Sequence, residues 1–73
     1  MQIISEVYGK PEQDHHGLTA YLYEVVVRVN GRKFAASQRI DAFRYLPDMH
    51  NYLKREVQRD VMERVRQELF NGF

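Results

Sequence analysis

The dipeptide Asn30-Gly31, with the alternation on either side of it, most constrains what this chain can become. Asn-Gly suits a two-residue type I′ turn, because both central positions take positive φ. Before it, Tyr21, Tyr23, Val25, Val27 and Val29 alternate along a strand expected over Leu18 to Val29. After it, Phe34, Ala36, Gln38 and Ile40 alternate over Arg32 to Ile40. The turn sets Val29 opposite Arg32, Val27 opposite Phe34, Val25 opposite Ala36, Tyr23 opposite Gln38 and Tyr21 opposite Ile40. The two apolar sets therefore share one face, and a one-residue slip would separate them. The other face pairs Leu22, Glu24, Val26 and Arg28 with Arg39, Ser37, Ala35 and Lys33.

Around this hairpin the remaining elements follow from breakers and periodicity. Ile3 to Tyr8 is β-branched and aromatic and is expected to be a strand. Gly9 to Gly17, with Pro11 and Asp14, is expected to be an exposed loop. Asp41 to Leu46 is ambiguous: it is compatible with a short turn of helix capped by Asp41, and Pro47 ends any such turn at Leu46. Pro47 suits the first position of a new helix. That helix is expected from Asp48 to Phe70, with Asn71-Gly72 as the stop. Its apolar stripe is Met49, Leu53, Val57, Val61, Val65 and Leu69, always four residues apart. Each step overshoots a turn by about 40°, so the stripe spirals. Two arrangements accommodate that: a diagonal crossing of a twisted sheet, or a helix shared between its own sheet and a second chain. The expected fold is α+β: a three-stranded antiparallel sheet in the order β-β-β-α, packed against one long C-terminal helix, in a single small domain over residues 1–73. Tyr21 and Tyr23 are expected in its core, with their hydroxyls at the rim.

Composition excludes more than it selects. With 73 residues and no cysteine, disulfides and thiolate metal sites are out of reach, and a cytoplasmic location is expected. Eleven basic residues against ten acidic give no general attraction for phosphate. No apolar run is long enough to span a membrane. The adjacent pair His15-His16 has no third ligand at a suitable spacing, so no metal or cofactor is expected. Ser5, Ser37 and Thr19 have no histidine and carboxylate spaced as a triad requires, and the glycines are scattered, so catalysis is not expected.

The helix exterior carries the clearest functional signal. Arg55, Arg59 and Arg66 fall within about 40° of one another on a helical wheel, with Met62 among them. One reading is a solvated face laced by pairs such as Arg59 with Glu63 and Asp60 with Arg64. The other is an arginine ridge around a methionine, a mixture enriched at interfaces. On the outer sheet face Leu22, Val26 and Ala35 make a small apolar centre, rimmed by Glu24, Arg28, Lys33 and Arg39. A lone helix cannot cover both faces of the sheet. Phe43, Arg44 and Tyr45 beside Pro47 form a further patch, divided between core and interface.

The run Val27-Arg28-Val29-Asn30-Gly31-Arg32-Lys33-Phe34, followed by a helix, resembles the later part of double-stranded-RNA-binding domains. The likeness covers about half the chain. It departs where that family has a leading helix and a basic cluster opening the last helix, here Pro47-Asp48-Met49-His50, so no function comes with it. In size and dense charge the chain also looks like small accessory proteins of bacteriophages, including inhibitors that bind host defence machinery. The expected function is a non-enzymatic protein that docks on another macromolecule, foremost a protein, through Arg55, Arg59, Met62 and Arg66 on the helix and Arg28, Lys33 and Arg39 on the sheet. The alternative is a nucleic-acid-binding module setting the same arginines on phosphates. A homodimer is also expected, through the outer sheet face or by strand addition at an unpaired edge.

Overall fold

The structure, a computed structural model, describes Met1 to Asn71. Three strands, β1 (Gln2–Asp14), β2 (Gly17–Val29) and β3 (Arg32–Asp41), form one antiparallel sheet in sequence order. A short 3₁₀ turn, Pro47–Met49, leads into the single α-helix α1 (His50–Asn71), which packs on one sheet face. The fold is therefore α+β, as the patterning predicts. It is flat and long, measuring 45 × 24 × 18 Å, so the core is one interlayer deep.

The β2–β3 hairpin has the expected register throughout, from Val29 opposite Arg32 to Tyr21 opposite Ile40. Asn30 and Gly31 both take positive φ, 52° and 78°, as the turn requires. Its inward residues Tyr23, Val25, Val27, Phe34 and Ala36 are buried against Leu53, Val57, Val61 and Val65 of α1.

The segment 9–17 is not a loop. β1 continues through it to Asp14 and pairs with β2 along its whole length. Three features absorb the breakers. Gly9, at φ 75°, sits at a register shift between Tyr8 and Lys10. Pro11 lies on an edge strand, where a missing N–H is tolerated. The turn is shortened to His15-His16, and the His16 N–H donates to Asp14 Oδ1 at 2.7 Å. Further shifts fall between Ile3 and Ser5 and between Glu12 and Gln13.

Between Asp41 and Leu46 the chain makes a hydrogen-bonded turn and no helix: the N–H groups of Arg44 and Tyr45 both donate to the Asp41 carbonyl, at 2.9 and 3.1 Å. Leu46 is extended, at φ −120° and ψ 139°, as the residue before proline should be. The helix crosses the sheet obliquely, from Gln58 beside Tyr8 of β1 to Glu68 beside Arg32 of β3. Leu53 through Val65 are buried, but Leu69 is 47% exposed. Three further steps of four from Val57 rotate Leu69 about 120° away from the sheet. The stop signal at Asn71-Gly72 and the aromatic Phe73 fall partly or wholly outside the described residues.

Candidate docking surfaces

The crossing of α1 over the sheet creates a polar seam that the sequence pattern does not announce. Tyr23 is completely buried, hydroxyl included, rather than placing that hydroxyl at the rim. Its oxygen lies 2.9 Å from His50 Nδ1 and 3.2 Å from the Tyr45 hydroxyl. A hydroxyl has one proton to donate and lone pairs to accept, so both neighbours can be satisfied at once. Burial foremost, then the Tyr45 hydrogen bond, pushes the Tyr23 phenol far above its ordinary pKa of 10. Gly9 closes the seam: a Cβ there would stand 3.3 Å from both His50 Nδ1 and the Tyr23 oxygen. Next along β1, Gln58 Nε2 donates to the Tyr8 oxygen at 3.1 Å, and the Tyr8 hydroxyl donates to Glu6 at 3.0 Å. The seam ties the start of α1 to β1 and β2. With Tyr23 sealed from solvent, its hydroxyl is out of reach of a dissolved substrate. The available signal was position: His50 precedes Leu53 by three and Val57 by seven, which puts it on the buried face.

On the opposite side of α1 the structure brings Arg55, Arg59, Met62 and Arg66 onto one outward ridge, all exposed. The ridge extends further than the arginines. Tyr52 is 64% exposed at one end and Phe70 84% exposed at the other. The six residues Tyr52, Arg55, Arg59, Met62, Arg66 and Phe70 follow steps of three, four, three, four and four. Such alternation averages close to a whole turn, so the ridge runs nearly straight. The expected i,i+4 pairs do not form. Arg66 Nη1 meets Glu63 Oε2 at 3.3 Å, and Arg59 Nε stands 4.0 Å from Asp60. These exposed contacts contribute little stability.

Arg28, Lys33 and Arg39 lie on the other side of the molecule, across the sheet from the ridge. They do not form one cluster. Arg28 and Lys33 are register partners, whereas Arg39 is six residues further along β3, about 20 Å from Lys33. Arg39 Nε reaches across β2 to Glu12 Oε1 at 2.7 Å, which raises the guanidinium pKa further. Val7, paired with Glu24 between the Val26 and Leu22 rows, enlarges the apolar centre. Only the β1–β2 register places it there, and no local pattern in the sequence specifies that register. The 43–45 patch divides: Phe43 is 85% exposed, while Tyr45 stacks on Tyr21 at 4.2 Å between ring centroids.

Two open clefts flank α1. One, of about 160 Å³, is lined by Met1, Ile3, Val25, Val27, Val61 and Met62 on the β1 side. The other, of about 240 Å³, lies along β3 between Lys33, Phe34, Ala35 and Arg64, Gln67, Glu68. Both are smaller than the usual small-molecule pocket of roughly 300–1,000 Å³. Among the described residues no group of three His, Cys, Asp or Glu side chains could hold a metal ion. None of their helices is long and apolar enough to cross a membrane. Comparison with protein-family models, curated proteins and solved structures finds no match to this chain. The likeness to double-stranded-RNA-binding domains thus rests on the hairpin and helix order alone.

Proposed function

We propose that this protein is a non-enzymatic docking protein whose outward ridge on α1 binds another protein. The observation that carries this reading is the composition and straightness of the ridge. Tyr, Arg, Met and Phe are enriched at protein interfaces, and Tyr and Arg also among their hot spots. Steps of three and four are the spacing at which a helix enters a groove or pairs with another helix. Met62 sits mid-ridge, with arginines to either side and an aromatic residue at each end. The acidic neighbours favour a protein over a nucleic acid. Glu63 and Asp60 lie against two of the three arginines and would repel phosphates.

The test is affinity capture from a lysate of the source cell, with wild type and Met62→Asp compared after nuclease treatment. The expected result is a protein retained by wild type and lost by at least tenfold with Met62→Asp. Equal retention by both overturns the ridge as the contact surface. If nuclease abolishes capture, and oligonucleotide affinity falls steeply with added salt, the arginines serve phosphate contact instead.

A further inference from the structure

The two edges of the sheet are built differently. β1 is broken by three register shifts and carries Pro11, so its outer side offers an interrupted row of donors and acceptors. β3 pairs with β2 without a shift from Arg32 to Asp41 and contains no proline. Its free side is a regular ladder as far as Arg39, with no further strand among the described residues paired to it. The hairpin geometry fixes which residues face outward. Val29 and Arg32 close the two-residue turn as a hydrogen-bonded pair, so 32, 34, 36, 38 and 40 bond to β2. The Ala42 N–H donating to the Thr19 carbonyl at 3.0 Å continues that parity. Lys33, Ala35, Ser37 and Arg39 therefore turn their backbone N–H and C=O groups to the open edge, whereas Asp41 offers only its N–H, because its carbonyl already accepts from Arg44 and Tyr45.

We infer that the β3 edge is the interface of a homodimer, in which β3 pairs antiparallel with the partner's β3 about a two-fold axis at Ser37. Backbone parity admits only registers that set odd-numbered residues opposite odd-numbered ones. Charge then discriminates among these. With the axis at Ser37, Lys33 lies opposite the partner's Asp41, and the same ion pair forms again at the other end. Ala35 lies opposite the partner's Arg39, a small neighbour that leaves Arg39 free to keep Glu12. On the inner face Phe34 lies opposite the partner's Ile40. Moving the axis to Ala36 sets Lys33 against the partner's Arg39 twice, which is repulsive. Moving it to Gln38 sets Lys33 against the partner's Phe43 and leaves no ion pair. Neither Lys33 nor Asp41 is in an ion pair with a described residue of its own chain. The cleft between β3 and α1 gives the partner's edge side chains room beside Phe34. The result is a continuous six-stranded sheet with both helices on one face and about eight new main-chain hydrogen bonds.

Sedimentation velocity on the full chain, from about 1 to about 200 µM, reads this directly as mass. Wild type is expected to reach twice the chain mass within that range. Asp41→Lys alone and Lys33→Asp alone should each weaken dimerisation at least tenfold, and the double exchange should restore it. Ser37→Pro removes an outward-facing N–H and no β2 bond, so it should give a folded monomer. A wild-type chain that stays monomeric throughout overturns the inference. So does a folded Ser37→Pro variant that still dimerises, or a folded double exchange that does not recover the dimer lost in the single variants. Ridge variants such as Met62→Asp should leave the mass unchanged, which separates this interface from the partner-binding surface.

Discussion

The two faces of α1 obey different periods. The buried face steps by four and is made of Leu53, Val57, Val61 and Val65. Its rotation of about 40° per step matches a twisted sheet crossed diagonally, and the match ends before Leu69. The outward face alternates steps of three and four and runs straight from Tyr52 to Phe70. One helix thus carries a stripe shaped for a sheet and a ridge shaped for something nearly straight. The lesson is that spacing, as well as hydrophobicity, separates the residues that build a fold from those available to a partner.

The sharpest way to break the contrast is to place a charge on the inner stripe. Val57 is fully buried, and Val57→Asp should cost more than about 4 kcal/mol, enough to unfold a domain this small. Circular dichroism and a urea titration would show it. A native-like melt would mean that the core is not where the stripe lies.

A smaller effect is expected at the seam where the buried face begins. Tyr23→Phe leaves His50 and Tyr45 short of a partner and should cost about 1–2 kcal/mol at neutral pH. Its pH dependence is more diagnostic. The folded phenol holds its proton more tightly than the unfolded one, so its contribution is complete below pH 10. It is lost as pH rises above 10 toward the raised folded value. Tyr8, raised chiefly by burial, acts in the same direction. Urea midpoints across the alkaline range should fall steeply for wild type and less steeply for Tyr23→Phe. Parallel curves would remove the seam from the account.

The smallest effect belongs to the ridge. Arg59→Ala should change stability by no more than about 0.5 kcal/mol. Its thermal midpoint should stay within a few degrees of wild type. A large loss would show that the ridge supports the fold and is not set aside for a partner.

Legibility followed the same division. The β2–β3 register was readable residue by residue, because turn chemistry and alternation select one pairing. The sheet order and helix bounds followed from period and proline placement. The far half of β1 was not readable. Gly9 and Pro11 are ordinary loop signals, and only pairing with β2 in three dimensions turns them into a bulge and an edge residue. The Tyr23–His50 contact was hidden because it joins residues 27 apart in the chain, and no local rule couples them. The ridge arginines were legible from the wheel. Tyr52 and Phe70 share the period of that ridge, and their exposure joins them to it.

The tip of the β1–β2 hairpin has a use of its own. β3 pairs with β2 as far as Ala20 and Ala42 still bonds the Thr19 carbonyl, so Gln13 to Leu18 project as a ribbon with no third strand among the described residues beside them and no buried residue. A two-stranded ribbon is marginally stable by itself, so its amides should open without the core having to. The His15-His16 turn therefore behaves as a handle mounted on a rigid frame. It can be lengthened, labelled or cut while the sheet, the seam and the ridge keep their positions.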